Sequence, residues 1–242
     1  MSPQEPSLCV VVFAFDEAQN IGAVLGELRE WLDAHEPDAE IVFVDDGSRD
    51  ATAEAARRAL EGARGLVVSH ETNRGIGAAL KTGVRAARAP WVTFLPADGQ
   101  VPPSAIGTLR AAAHRDGADV VLSVYDHRDD GFGRKVLSFG VRALITVVHA
   151  VRLRSDGPYL FRRALFDADD LPPDTFFLNF EFPIRVLGAG LRVSTVTVPC
   201  RARRAGVSKS TGLRRVGGVA RDLVALRVRR ARVGLRRIVG RG

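Results

Sequence analysis

Stapling residues and membrane-spanning runs are scarce in this sequence. Two cysteines, Cys9 and Cys200, are all that its 242 residues contain. That number excludes a disulfide framework, and their separation offers no zinc-ligand spacing. Both lie in strand-like apolar runs and are expected to be buried thiols of a reducing compartment. The five histidines, His35, His70, His114, His127 and His149, form no close pair and no ligand spacing, so no chemistry is assigned to them. The longest apolar run, 143–151, is broken by Thr146 and His149 and falls short of the ~20 residues that a membrane span needs. The first seven residues carry no basic segment followed by an apolar core, so no secretion signal is expected. No internal repeat is evident.

An even spread of positive charge is missing too. From Arg201 onward there are fourteen Lys and Arg against one acid, Asp222, a surplus of 13. Because the whole chain carries +7, residues 1–200 carry −6. A nucleic-acid binder is expected to spread basic charge over its fold. No aromatic residues interleave with the arginines of this tail, as base stacking would require. No nucleic-acid partner is expected.

What is present is a core. Apolar residues make up 46% of the chain, and mean hydropathy is +0.01, as in a soluble globular protein of one large or two small domains. Residues 8–15 (LCVVVFAF) form a nearly continuous apolar run, the mark of a strand covered on both faces. Ile21, Val24, Leu25, Leu28 and Leu32 then recur at helical spacing. Strands at 41–44, 66–69, 91–95 and 118–125 alternate with helices at 51–60, about 77–88 and 103–114. Asp50 or Ser48 is expected to cap the second helix. Five repeats of strand then helix predict an α/β fold with a doubly wound, mostly parallel sheet and helices on both faces.

Beyond Tyr125 the pattern changes. Residues 126–134 (DHRDDGFGR) form a charged, glycine-bearing loop suited to a flap. Val136, Leu137, Val141, Leu144 and Val148 mark a long amphipathic helix. Residues 154–163 read as a turn and then a short strand or helix start, 176–187 as a helix, and 191–198 as an edge-type strand. Residues 213–242 interleave Val, Leu and Ile with arginines, a basic C-terminal helical tail.

The chemistry-bearing residues sit at strand ends: Asp16 and Glu17 after the first, Asp45 and Asp46 after the second, Asp98 after the fourth. A parallel sheet places all three ends on one edge, near a topological switch point. Such an edge repels anions unless a cation bridges it to a phosphate. The fourth strand halts at Pro96, delivers Asp98 with Gln100 two residues on, and restarts as a helix after Pro102-Pro103. Asp98 and Gln100 are hard oxygen ligands that suit Mg²⁺ or Mn²⁺ holding a diphosphate. The plain alternative is a solvated turn, as a helix cap is for the other acids.

These blocks resemble a known family. Val11-Val12-Phe13-Ala14-Phe15-Asp16-Glu17 is similar to the V-I-P-A-Y-N-E opening of family 2 glycosyltransferases with the GT-A fold. Val44-Asp45-Asp46-Gly47-Ser48-Arg49-Asp50-Ala51-Thr52 matches their V-D-D-G-S-x-D-x-T. Asn73, Gly75, Gly77, Ala78, Ala79 and Gly83, then Ala97-Asp98-Gly99-Gln100 and Pro103, follow in order. Arg203-x-x-Gly206-x-Ser208-Lys209 resembles a segment of dolichol-phosphate mannose synthase-like members. The match covers about residues 8–210.

The resemblance implies a GT-A domain over 1–212, with a nucleotide-binding half at about 8–125, an acceptor-side half at 126–212, and the tail at 213–242. It implies that Phe13, Phe15, Glu17 and Asp45 hold base and ribose, within a nucleotide set that includes Asp46, Gly75, Lys81, Ala97 and Asp98. Asp98 and Gln100 would hold Mg²⁺ or Mn²⁺. Arg203, Ser208 and Lys209, with Arg128 and Arg134 of the flap, would face phosphate, which arginine grips bidentately. Asp156 and Glu181, with Arg203 and Lys209, are the implied catalytic residues; a salt-bridged helix residue is the other role open to Glu181.

The implied activity is inverting transfer from a nucleotide-diphospho-sugar, assisted by metal, to a polyprenyl phosphate. A soluble small-molecule acceptor and a degenerate, non-catalytic nucleotide-sugar binder stay open. The family's D-x-D has Pro96 in its first position here, Phe13 replaces proline, Phe15 tyrosine and Asp16 asparagine. A tail helix with Val219, Leu223, Leu226 and Val233 on one side could lie on an anionic bilayer. That fits a cytoplasmic protein at the inner face of the cell membrane. Oligomeric state is not disclosed.

Overall fold

The two most apolar runs become the centre of the sheet. In a computed structural model that describes residues 5–126, 140, 143–169, 171, 177–202, 222–223 and 225–228, β1 (Leu8–Ala14) pairs in parallel with β2 (Glu40–Asp45) on one side and β4 (Trp91–Pro96) on the other. β2 in turn pairs in parallel with β3 (Gly65–Ser69). The helices between them are α1 (Ala18–His35), α2 (Thr52–Ala59) and α3 (Ile76–Ala86), followed after β4 by α4 (Ser104–Arg115). β5 (Val120–Tyr125), β6 (Leu160–Arg162), α5 (Leu178–Gly188) and β7 (Val193–Val198) complete the named elements. The sheet order is β3-β2-β1-β4-β6-β5-β7.

Strand alternation sorts the core into two layers. Leu8, Val10, Val12, Ile41 and Phe43 face α1, α2 and α4, where Ile21, Leu25, Leu28, Ala56, Ile106 and Leu109 fill the gap. Cys9, Val11, Val42 and Val44 face α3 and α5, through Leu80, Val84, Phe182 and Ile184. Each fully buried Leu, Ile or Phe contributes roughly 1.5–3 kcal/mol by leaving water. α3 lies so close to β1 that a Cβ on Gly83 would stand 2.3 Å from Val11 Cγ1. The expected doubly wound architecture, with helices on both faces, is what forms.

Four details differ from expectation or complete it. The segment 154–163 forms a three-residue strand followed by a single 3₁₀ turn, Arg163–Leu165. That strand, β6, is antiparallel to both β4 and β5 and wedges between them, so the fifth parallel strand is not adjacent to the fourth. Ser48 caps no helix; Asp50 comes nearer that role, its carboxylate accepting the Thr52 N–H at 3.0 Å. Cys200 lies two residues past β7 and is only half-buried, whereas Cys9 is buried in β1, and both are free thiols. The Cys200 run reads as strand because Val193–Val198 precedes it.

The tail needs correction. Residues 222–223 and 225–228 are helical, and Leu223 and Leu226, expected to face a bilayer, are fully buried in the domain core. His149 Nε2 lies 3.1 Å from the Leu223 carbonyl. Within the expected helix 136–148, residues 140 and 143–148 are described, and all of them are helical. The flap at 127–134 lies outside the described residues.

Candidate active site

All six parallel strands end on one rim. β6 runs the other way, so it begins on that rim, and Asp156, four residues ahead of it, lies there as well. The switch point falls between β1 and β4: the chain leaves β1 toward β2 on one side and returns as β4 on the other, where open α/β sheets place ligands. The register sets Ala14 beside Asp45 and Phe13 beside Pro96. Asp45, the last residue of β2, and Asp98, just past β4, therefore reach the same rim on either side of β1, as the sequence predicts.

The loops after β1 and β2 are stitched to each other. Asp16 N–H donates to Ser48 Oγ at 2.9 Å, and Arg49 N–H returns a bond to Asp16 Oδ1 at 2.8 Å. Glu17 N–H donates to Thr52 Oγ1 at 2.8 Å and Ala18 N–H to Asp50 Oδ2 at 3.2 Å. Asp16 holds φ at 52°, a left-handed conformation that Asp and Asn tolerate best. The Thr52 hydroxyl also donates to Asp50. Burial pushes the Asp50 carboxyl up, but the bonds from the Thr52 hydroxyl and from the Ala18 and Thr52 amides outweigh it and hold the group below its usual range. Ser48, Asp50 and Thr52 thus tie the two loops together. Their regular spacing after a strand was the available signal for that role.

Asp45 and Asp46 diverge. Asp45 is buried, and its carboxylate takes one hydrogen bond among the described residues, from Ser48 N–H at 3.2 Å. Asp46 is committed inward. Its Oδ1 accepts Arg74 N–H at 2.9 Å, its Oδ2 accepts Gly75 N–H at 2.8 Å, and His70 Nδ1 lies 2.8 Å from Oδ1. Asp46, a nucleotide contact by resemblance, shapes the turn that starts α3 through these bonds. Gly75 has φ 92° there, a conformation that glycine reaches without strain. Lys81 is buried on the same helix.

At the end of β4, Ala97 and Asp98 are buried, Gly99 takes φ 71°, and Gln100 N–H closes back on Asp98 Oδ1 at 3.1 Å. The Gln100 carbonyl accepts the Arg201 N–H at 2.8 Å, and the Arg201 guanidinium reaches Glu27 of α1 at 2.6 Å. Cys200 N–H donates to Asp126 Oδ1 at 3.1 Å. The chain is therefore pinned to the Asp98 loop just before the Arg203–Lys209 segment. Arg203, Ser208 and Lys209, like Arg128 and Arg134, lie outside the described residues.

Asp156 is positioned by backbone: its N–H and that of Gly157 both donate to the Ser123 carbonyl, at 2.9 and 3.2 Å. Glu181 is in the first turn of α5, wholly buried, with its Oε1 bonded to Arg185 Nη2 at 2.6 Å and Nε at 3.0 Å. The ion pair is the salt-bridged arrangement that the sequence left open for it. Phe13 packs its ring 5.9 Å from that of Phe94, and Phe15 is partly exposed at the rim.

A cavity of about 540 Å³ lies at the opposite rim, lined in part by Trp91, Arg110, His114, Arg162 and Arg192. Its arginines are already paired, Arg110 with Glu36 and the other two with Asp119. It holds none of the strand-end acids.

Comparison with known proteins agrees with this geometry. Over 230 residues the chain is 29% identical to dodecaprenyl-phosphate galacturonate synthase of Rhizobium johnstonii, covering 92% of this chain and 67% of that protein. It is 31% identical over 163 residues to the undecaprenyl-phosphate 4-deoxy-4-formamido-L-arabinose transferase of Aeromonas hydrophila, covering 66% of this chain. The chain spans about half the length of that transferase (50%). Among solved structures, glucosyl-3-phosphoglycerate synthase of Mycobacterium tuberculosis, in complex with Mn²⁺, UDP and glucosyl-3-phosphoglycerate, shares the fold. That likeness has a TM-score of 0.67 and 23% identity over 91% of this chain and 78% of that one. The pattern of glycosyl transferase family 2 matches residues 9–167, and with the strand-end motifs in register on one rim, this chain belongs to that family.

Proposed function

We propose that the protein transfers a sugar, with inversion, from a nucleotide-diphospho-sugar to a polyprenyl phosphate. The observation that carries this is the shared rim: a buried Asp45 with one donated bond among the described residues, and Asp98 across the switch point on the far side of β1. A buried carboxylate with acceptor capacity left over favours an N–H or O–H donor, which a nucleotide base or ribose provides. Phe13, Phe15 and Glu17 border that position from the end of β1.

Asp98 and Gln100 are the residues that would hold Mg²⁺ or Mn²⁺. Among the described residues no group of three or more His, Cys, Asp or Glu could enclose a metal ion, and Pro96 offers no ligand. One carboxylate and one amide still fit a hydrated ion that takes its other ligands from substrate phosphates and water. When bound, the ion would neutralise charge on the leaving diphosphate. The relatives named for dodecaprenyl- and undecaprenyl-phosphate support a lipid-phosphate acceptor. A phosphate monoester, with its second pKa near 6, is largely ionised at neutral pH and needs no strong base. Asp156 would then orient the acceptor, Arg203, Ser208 and Lys209 would grip phosphate, and Glu181 would act through Arg185.

Lipid access sets the proposed location at the inner face of the membrane. No helix among the described residues is long and apolar enough to cross a bilayer. With Leu223 and Leu226 buried, surface contact falls to the arginines of 203–242 and to exposed apolar residues such as Val147 and Val228. Liposomes containing phosphatidylglycerol should sediment the protein at low salt and release it at high salt. Retention of the protein in the supernatant at low salt would remove this part.

Pro96 favours one competing reading, a nucleotide-sugar binder without turnover. Transfer assays with a panel of nucleotide sugars, a short polyprenyl phosphate or soluble hydroxyl acceptors, with and without Mn²⁺, separate the three. Product with the lipid phosphate supports the proposal; product only with soluble acceptors replaces the acceptor. Donor binding without product in any combination supports the binder.

A further inference from the structure

Behind the strand-end acids runs a part-buried polar line: Asp46, His70 and Thr82. His70 follows β3, and its backbone N–H donates to the Asp45 carbonyl at 2.9 Å. Its ring places Nδ1 2.8 Å from Asp46 Oδ1 and Nε2 2.9 Å from Thr82 Oγ1. The His70 and Asp46 side chains are each 6% exposed. An ionised carboxylate only accepts, so Nδ1 carries the hydrogen, and Nε2 accepts from the Thr82 hydroxyl. The ring thereby joins the middle of α3 to the carboxylate that fixes the first turn of the same helix through the Arg74 and Gly75 amides.

We infer that His70 is a positioning residue of the nucleotide site, the clamp that orients Asp46 and through it the 73–77 turn and the start of α3. The inference rests on the nucleotide-sugar reading above. The argument is geometric. Asp46 receives two backbone amides and one side-chain donor among the described residues, and that donor is His70. Two amides from consecutive residues of one turn cannot fix a carboxylate that they are themselves meant to be fixed by. The imidazole supplies the external reference, because its own backbone is bonded to β2 and its far nitrogen to α3. Displacing it frees Asp46 to rotate, and the turn that carries Gly75 toward the rim follows.

The test uses the full chain and three substitutions. His70→Asn keeps an N–H near the Nδ1 position, His70→Gln reaches only toward Thr82, and His70→Ala removes both. Hydrogen–deuterium exchange of peptides covering 72–80 reads the turn without ligand, and calorimetry with UDP or GDP and Mn²⁺ reads the site. The expected result is exchange at Arg74 and Gly75 at least tenfold faster, and nucleotide binding about tenfold weaker (~1.4 kcal/mol), in His70→Ala and His70→Gln. His70→Asn should return both within about twofold of wild type. Unchanged exchange and affinity in His70→Ala, or a His70→Asn as damaged as His70→Gln, would overturn the inference. If His70→Ala does not fold, the contrast between Asn and Gln decides. If wild type binds neither nucleotide, the nucleotide reading falls, and the exchange rates alone confirm or refute the clamp.

Discussion

Gly47 is the position where the cost of a single methyl is most directly calculable. Its φ of 73° is left-handed, and an added Cβ would stand 2.4 Å from the Thr72 carbonyl carbon and 2.7 Å from the Asn73 nitrogen. The obstruction is backbone, so no rotamer change relieves it. Left-handed strain contributes about 1–2 kcal/mol, and forcing a group into a packed site about 1–3 kcal/mol. Gly47→Ala should therefore lose roughly 2–5 kcal/mol, a large part of the ~5–15 kcal/mol that holds a typical domain. Two companions separate the causes. Gly62 has φ 72° but open space around its Cβ position, so Gly62→Ala should lose only about 1–2 kcal/mol. Gly22, exposed on α1 with nothing within 4 Å, should gain about 0.5–1 kcal/mol as alanine. Urea denaturation, compared by midpoint at constant slope, ranks the three. A Gly47→Ala no less stable than Gly62→Ala would refute the claim that the β2–α2 turn lies hard against Thr72.

Further outcomes follow from the same contacts. Thr52→Val removes the acceptor for Glu17 N–H at a fully buried position and should cost about 1–3 kcal/mol, read as a shifted urea midpoint. Asp50→Asn should destabilise most at neutral pH: a carboxyl depressed on folding adds stability above its unfolded value, near 4, and loses it as pH falls through the folded value. Denaturation at pH 7 and pH 3 should therefore show the gap between wild type and Asp50→Asn closing in acid; a gap that widens would contradict the stitch. Arg185→Met removes the guanidinium that holds the buried Glu181 carboxylate and should cost roughly 2–4 kcal/mol, with much of it recovered in the Glu181→Leu/Arg185→Met double variant. Tyr159 is fully buried, and its hydroxyl has no hydrogen-bond partner among the described residues, so Tyr159→Phe should be neutral or stabilising in thermal melts. Asp98→Ala should weaken Mn²⁺-dependent nucleotide binding at least ~10-fold while leaving the melting temperature within a few degrees.

The sheet and the rim were legible because they rest on short-range patterns. Continuous apolar runs announced buried strands, and acids after the runs at 8–15, 41–44 and 91–95 announced a shared edge once parallel pairing was granted. β6 was not legible as a wedge, because three residues carry no periodicity and antiparallel insertion is decided by tertiary packing. The Val-Asp-Asp-Gly-Ser motif hid its division of labour. One aspartate stays at the rim while its neighbour turns inward, and adjacent side chains on an irregular loop give no hint of which does which. His70 looked idle because its partners, Asp46 and Thr82, are 24 and 12 residues away. Leu223 and Leu226 show the converse failure: an apolar side on a basic helix suits a bilayer and a protein core equally well.

The short wedge has a consequence for how acceptor range can diversify. β5 and β6 are antiparallel neighbours, so the connection between them starts and finishes at the rim, and it seats Ile145, Leu153 and Tyr159 in the core. The register of β1 to β4 is set elsewhere, by the pairing of β1 with β2 and β4 and of β2 with β3, so rewriting the connection around those three seats leaves it untouched. Under the proposed function, new acceptor chemistries can be grafted there as interchangeable cassettes on a constant chassis.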